Sequence, residues 1–346
     1  MRIPATVDEL TPEWFSEIFE ASVSAVTVLD AHSGTTGRAR VALAGPDWLP
    51  RSAFVKLAPF GEEQRAFLRA VGLGVAEARF YRHLGSELPV RVPHVWHSAY
   101  DRDGSFVMVL EDLAAAGCRF PDVRDDDIAV VAESLMDELA LLHATYRGVA
   151  LSWMATPDGV RRRPDNAETA ARRTQFIRSA LDQFGTDMGS AFRGLAELYI
   201  DRADDVIALY GRGETTLVHG DNHFGNLFVD GGRTGFLDWA VAGRAPGMRD
   251  VAYFLCNSLP VGTRRAEQDG LLKRYHSALA AHGWETDTAE LQRQYRLFSI
   301  YAWVAAASTA AMGTRWQPVE VTRPALLSTT AAIEDLDVVG LLRDEL

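Results

Sequence analysis

Lysine is almost missing from this chain. Of its 35 basic residues only two, Lys56 and Lys273, are lysine; the rest are arginine. With so much alanine, this is the bias of a GC-rich genome, and it makes each lysine conspicuous. Cysteine is just as scarce. Cys118 and Cys256 are far apart and in no metal-ligand spacing, which excludes a disulfide framework and fits a reducing, cytoplasmic setting. Positive charge is in deficit, with a net charge of −12. A general nucleic-acid binder needs a basic surface, so that class is excluded; the acidity slightly favours cationic substrates. Long apolar runs are missing too. The most apolar late stretch, Tyr301–Met312, is shorter than the roughly 18 residues a membrane span requires, so no membrane partner is expected. The N-terminus carries Asp8, Glu9 and Glu13 and no apolar segment, so no signal peptide is expected. There is no internal repeat. What is present is ordinary for a globular protein: 346 residues, 47% hydrophobic, enough for one large or two moderate domains.

The chain is organised around residues 217–238, LVHGDNHFGNLFVDGGRTGFLD. Two short apolar runs, Asn226–Val229 and Gly235–Leu237, flank Gly231-Gly232, a hairpin signal. His219-Gly220-Asp221 precedes the first run and Asp238 follows the second. Asp221 and Asn226 stand as D-x-x-x-x-N, the spacing of a kinase catalytic loop. Phosphoryl transfer asks a protein for positioning and charge neutralisation. Asp221 is the candidate base for an acceptor hydroxyl. Asn226 and Asp238 offer the hard oxygen atoms that Mg2+ prefers. Each piece also has an ordinary reading: a turn, a strand start and a helix cap. His219 reads as orienting the loop, and His223 is open between surface residue and phosphate contact.

Upstream, Thr11-Pro12-Glu13 starts a helix. Strand patterns cover Val23–Leu29, Arg38–Leu43 and Ser52–Leu57. Between the first two lies His32-Ser33-Gly34-Thr35-Thr36-Gly37. Its backbone around Gly34 and Thr35 could face phosphates, or it is an ordinary hairpin loop. Lys56 sits inside the third strand and Glu77 inside the helix that follows. Either they pair, holding the ammonium against phosphates, or they are unrelated surface charges. Gly72-Leu73-Gly74 imitates the start of a dinucleotide fingerprint, but Glu77 stands where its third glycine belongs. Val92–Ala99 and Ser105–Leu110 read as two more strands. Helices then take over: Asp125–Tyr146, Glu168–Phe184, Ala191–Tyr210, one from Asp250, Gln268–His282, Thr288–Met312 and Pro324–Leu336. Arg161–Pro164 reads as a loop. Asp125, Asp126 and Asp127 read as capping acids, with an acidic mouth for a cationic substrate as the minority reading. His143 reads as a packed helix residue, and Trp303, Tyr301 and Trp316 as core or pocket lining. Sheet first and helices after is the α+β pattern. The boundary falls after Asp112, giving 1–112 and 113–346.

At these residues the sequence resembles the aminoglycoside phosphotransferase / choline kinase-like family. The motif H-G-D-x-x-x-x-N followed by D-W stands as His219-Gly220-Asp221, Asn226 and Asp238-Trp239. Asp250, Lys56 and Glu77 match the family's later aspartate, strand lysine and helix glutamate. VLEDL at Val109–Leu113 resembles the interlobe linker. The YRHL and LPVRVP segments resemble the ecdysteroid kinase-like branch. The resemblance implies a bilobal protein-kinase-like fold, with an N-terminal five-stranded antiparallel sheet lobe and a larger, mainly helical C-terminal lobe. It implies ATP and Mg2+ as cofactors. Asp221 would act as base, Asn226 and Asp238 as metal ligands, Lys56 on the phosphates, and adenine would lie near Glu111 to Leu113. The implied partner is a small-molecule hydroxyl acceptor, of a class the motif does not choose. A catalytically silent nucleotide-binding scaffold on the same fold is the reading of a different class. The P-loop, H-E-x-x-H and G-x-S-x-G patterns are all missing.

Overall fold

A computed structural model describes residues 2–85, 87–154, 167–313 and 319–346. In chain order the first elements are α1 (Pro12–Phe19), β1 (Ala25–Ser33), β2 (Gly37–Ala44), β3 (Ser52–Leu57), α2 (Glu62–Val71), α3 (Leu73–Leu84), β4 (Val95–Tyr100) and β5 (Phe106–Glu111). There follow α4 (Ile128–Thr145), α5 (Ala167–Phe184), α6 (Gly189–Tyr210), β6 (Thr216–Val218), β7 (Leu227–Asp230), β8 (Arg233–Phe236) and β9 (Gly243–Ala245). The chain finishes with α7 (Met248–Asn257), α8 (Val261–Ala281), α9 (Thr288–Ala311), α10 (Val319–Asp335) and α11 (Val338–Glu345). These fold into two compact units. One holds residues 1–120 and 227–242; the other holds 121–226 and 243–346. The division thus falls later than residue 112, and the β7–β8 hairpin returns to the first unit.

The first unit is built on a five-stranded antiparallel sheet in the order β1-β2-β3-β5-β4. Alternation explains its two faces. Val41, Ala53, Val55, Val107 and Val109 point to one side, where they bury Trp14 and Phe15 of α1. Lys56 lies one residue out of phase with Val55, so its side chain emerges on the opposite face. There it meets α3, whose buried stripe is Glu77, Phe80, Tyr81 and Leu84, at the i, i+3, i+4, i+7 spacing of a helix face. The carboxylate on that stripe, Glu77, is the group that Lys56 meets. Gly72, the would-be fingerprint glycine, has φ +76° and joins α2 to α3.

The second unit is mainly helical. Phe192, Leu195, Tyr199, Ile300, Trp303 and Leu326 belong to one continuous core, so Trp303 is packing and not pocket lining. α4 buries Val131, Leu135, Leu139 and Leu142. It begins at Ile128 rather than Asp125, and its N-cap Asp127 makes no side-chain cap bond. Asp125 instead accepts the Asp122 amide at 2.9 Å in a preceding turn. α10 begins at Val319, so Pro324 lies inside it. The short antiparallel pair β6–β9 was not legible at three residues per strand. Arg161–Pro164 and Trp316 lie outside the described residues.

Phe80 connects the first unit's core to its charged cluster. It is 1% exposed and stacks on Trp239, centroids 4.4 Å apart and planes 8° from parallel. Phe80→Ala is therefore expected to lower the unfolding free energy by about 3–5 kcal/mol. The loss would be read as a fall in the urea midpoint of the transition that reports this unit.

Candidate active site

In the second unit, the turn after β6 is built by a buried aspartate. Asp250, in the first turn of α7, is fully buried. Its Oδ2 accepts the His219 amide at 2.6 Å and its Oδ1 accepts the Gly220 amide at 2.7 Å. His143 Nε2 lies 3.3 Å from Oδ2, and the same ring's Nδ1 lies 2.8 Å from Tyr275 Oη. Asn222 donates to the Asp250 main-chain oxygen at 3.1 Å. Burial pushes the Asp250 carboxyl up. The His143 hydrogen bond, the nearby imidazoles and the Gly220 amide outweigh it and hold the carboxyl below the usual range. Gly220 has φ +84°, a conformation that side chains resist. That explains glycine between His219 and Asp221. Tyr301 Oη donates to the Gly220 carbonyl at 2.9 Å, and Arg249 donates to Tyr301 Oη at 2.6 Å.

The chain held this way presents Asp221. Its amide donates to His219 Nδ1 at 3.2 Å, which leaves the buried His219 ring an orienting role. Tyr253, one turn after Asp250 on α7, donates its hydroxyl to Asp221 Oδ1. Burial first, and the Asp221 charge second, push the Tyr253 phenol well above its usual value, so it remains a donor. Asn226 Nδ2 donates to the Asp221 carbonyl at 2.8 Å and lies 3.3 Å from Asp221 Oδ2. The Asn226 amide is thus fixed with its nitrogen toward Asp221. His223 Nε2 is 3.8 Å from Asp221 Oδ2, and both side chains are partly exposed.

In the first unit, Lys56, Glu77 and Asp238 form one cluster. Lys56 Nζ lies 2.5 Å from Glu77 Oε2 and 3.1 Å from Asp238 Oδ2. Lys56 and Glu77 are buried, while the Asp238 side chain is 28% exposed. Two carboxylates share one ammonium. Burial and Asp238 push the Glu77 carboxyl up to about 7 against the pull of Lys56, and Glu77 Oε1 is buried with no hydrogen-bond partner. Burial lowers the Lys56 ammonium, but the carboxylates of Asp238 and Glu77 outweigh it and hold it above its ordinary value. Asp238 itself has φ +59°, a strained backbone for a residue with a side chain.

The remaining expected ligand-binding residues lie in the β1–β2 turn and at and just after the end of β5. Gly34 and Thr35 are exposed in the β1–β2 turn, with Gly34 donating to the Thr36 carbonyl at 3.0 Å. The Glu111 carboxylate is committed to Arg91, at 2.7 and 2.8 Å, and to the His94 amide at 2.9 Å. Leu113 is buried beside Cys118 and Phe228. Sequence reasoning missed Tyr253, Arg249 and the His143–Asp250 contact. The spacing of Asp250 and Tyr253, three residues apart on one helix face, was the available signal.

A five-stranded antiparallel sheet, a helical unit and a His-Gly-Asp turn braced by a distant aspartate define a protein-kinase-like phosphotransferase. The chain matches the phosphotransferase enzyme family over residues 33–292, and it belongs to that family. No curated protein matches the sequence. Among solved structures it is similar to a protein proposed to be an aminoglycoside phosphotransferase, from Ralstonia eutropha JMP134. The TM-score is 0.60 and the identity 12%, over 94% of this chain and 97% of that one. It is also similar to an ethanolamine kinase from Plasmodium vivax, with TM-score 0.55 and 11% identity over 93% and 83% of the two chains. A macrolide 2'-phosphotransferase from Brachybacterium faecium gives TM-score 0.52 and 17% identity over 93% and 98%. At such identities these likenesses speak for the fold alone.

Asp250→Asn puts an amide where two backbone donors need acceptors, and is expected to cost about 2–4 kcal/mol at pH 7. Because the native carboxyl sits below its unfolded value, its contribution is present above about pH 4 and fades as pH falls through the native value. Urea unfolding against pH should show the wild type and variant converging in acid. A gap that stays constant down to low pH would contradict the assignment.

Proposed function

We propose that this protein transfers the γ-phosphate of ATP to a hydroxyl of a small molecule, with Asp221 as the base. The observation that carries the reading is the Asp221 carboxylate, fixed through Oδ1 by Tyr253 and flanked by the Asn226 amide. In this reading the acceptor oxygen attacks the γ-phosphorus, the bond from that phosphorus to the β–γ bridging oxygen breaks, and ADP leaves with that oxygen. The acceptor's proton passes to Asp221 Oδ2. Lys56, held by Glu77 within the sheet, neutralises phosphate charge. The turn at Gly34 and Thr35 covers phosphates with its amides, and the main chain of Glu111 and Leu113 borders the adenine.

Asn226 and Asp238 fit Mg2+ by their chemistry. With its nitrogen turned to Asp221, Asn226 leaves its Oδ1 as a hard oxygen, and Asp238 offers a partly exposed carboxylate. Among the described residues no group of three or more His, Cys, Asp or Glu is placed to hold a metal ion. Magnesium, which takes few protein ligands and keeps water and phosphate oxygens, does not require one. When bound, the ion would neutralise charge on the transferring phosphate. Both cysteines are free and buried, as a cytoplasmic enzyme permits. Among the described residues no helix is long and apolar enough to cross a membrane.

Asp221→Asn should keep Mg-ATP-dependent thermal stabilisation and lose phosphate transfer by about 10²–10⁴-fold, the usual worth of a general base. Undiminished transfer would remove Asp221 from the role. Asp238→Ala should abolish the magnesium-dependent part of ATP binding, measured by calorimetry with and without the metal. If that part survives, Asp238 is not a ligand.

A further inference from the structure

His223 stands two residues after Asp221, in the loop that leads to Asn226. The loop folds closely around it. The His223 amide donates to the Asp221 carbonyl at 2.9 Å, and the Asn226 amide donates to the His223 carbonyl at 2.8 Å. A third backbone group holds the ring itself: the Gly225 amide donates to His223 Nδ1 at 3.0 Å. Glycine at 225 makes room for this seat. A Cβ there would lie 2.9 Å from Cε1 of the ring and 3.0 Å from Nδ1, closer than such atoms pack at their optimum.

That bond decides the tautomer. An imidazole that accepts at Nδ1 carries its hydrogen on Nε2, and Nε2 is then a donor. Asp221 Oδ2 lies 3.8 Å from Nε2, beyond the roughly 3.2 Å reach of an N–H···O bond. The separation suits a third atom. An oxygen about 2.8 Å from each can bond to both, giving its own hydrogen to Oδ2 and accepting the hydrogen of Nε2. The two side chains are partly exposed, His223 by 40% and Asp221 by 37%. Both border a cavity of about 590 Å³ within the second unit, so such an oxygen can come from solvent or from a bound molecule.

We infer that His223 holds the acceptor hydroxyl against Asp221, its Nε2–H donating to the oxygen that attacks the γ-phosphorus. This rests on the reading of Asp221 as base and adds a second residue to that site. An alcohol oxygen has one hydrogen and two lone pairs. The hydrogen passes to Asp221 Oδ2. One lone pair accepts from His223. The other forms the new bond to phosphorus as the bond to the β–γ bridging oxygen breaks and ADP leaves. His223 gives up no proton. Its contribution is aim. A carboxylate alone fixes a distance but leaves the hydroxyl free to turn about its hydrogen bond, whereas two contacts set where the attacking lone pair points. A misplacement of about 1 Å in such a geometry costs on the order of 10²-fold in rate.

The competing role for His223 is to brace the loop through Gly225 and nothing more. The two roles use different ring nitrogens, so two variants separate them. A glutamine amide nitrogen reaches the place of Nε2 and leaves Nδ1 unreplaced; an asparagine oxygen reaches the place of Nδ1 and leaves Nε2 unreplaced. The ring is partly exposed, so both variants are expected to fold and to keep the Mg-ATP-dependent thermal stabilisation.

The test is ADP formation from Mg-ATP in buffer, where water is the acceptor, and with kanamycin, ethanolamine or erythromycin added. Wild type is compared with His223→Gln, His223→Asn and Asp221→Asn. In the fastest of these reactions His223→Asn should lower kcat about 10–100-fold with the KM for ATP unchanged. His223→Gln should stay within about fivefold of wild type, since it loses only an exposed neutral hydrogen bond. The opposite order would make His223 a loop brace and overturn the inference. Two variants equally active, or equally impaired, would overturn it as well while Asp221→Asn alone still tests the base. If Asp221→Asn matches wild type, the reading of Asp221 as base falls and the inference falls with it. No ADP from the wild type in any of the reactions would overturn both.

Discussion

One buried carboxylate governs the second unit. Asp250 has no exposure and carries a charge, a combination that costs several kcal/mol unless every lone pair is used. Here the cost is offset by two consecutive backbone amides and an imidazole. Taking the amides of residues 219 and 220 together forces the chain to turn, and the turn is possible because Gly220 adopts φ +84°. The candidate base of this unit is placed by that turn. Asp221 is presented by it, His219 supports it from within through the Asp221 amide, and Tyr301 closes it from outside through the Gly220 carbonyl.

The first unit shows the opposite economy. Lys56, Glu77 and Asp238 are not fully neutralised by each other: two carboxylates face one ammonium, one oxygen of Glu77 is orphaned, and the Asp238 backbone is strained. A structure optimised for stability alone would not keep this arrangement, since buried polar groups are ordinarily satisfied. Such local conflict is what functional sites tolerate. The Phe80–Trp239 stack, one residue beyond Asp238, shows how it is tolerated: the strained residue is anchored by well-packed aromatic neighbours.

The sequence made the framework legible where the signal was local. The hairpin announced itself through Gly231-Gly232. β3 was read to the residue, and Lys56 stood out because lysine is so rare. Features that depend on long-range packing were hidden. His143 lies 107 positions from Asp250, and nothing near it in the chain marks it as a partner. Arg249 and Tyr301 meet across 52 residues. Glu111 reads as a linker acid, and only the fold shows that Arg91 claims its carboxylate. Asp125 to Asp127 have capping composition, but the helix starts beyond them because Asp125 is drawn into a turn with Asp122. The three-residue strands β6 and β9 exist only because each supplies the other's hydrogen bonds.

The central claim is that the buried carboxylate sets the conformation on which activity depends. The most direct measurement is amide hydrogen exchange at His219 and Gly220 in His143→Ala, made alongside phosphate transfer. Removing the imidazole loosens Asp250 without touching the turn itself. The account predicts faster exchange at both amides, a fall in kcat of at least tenfold and an unchanged KM for ATP. Exchange that stays as slow as in the wild type while transfer falls would contradict it, as would faster exchange with transfer intact.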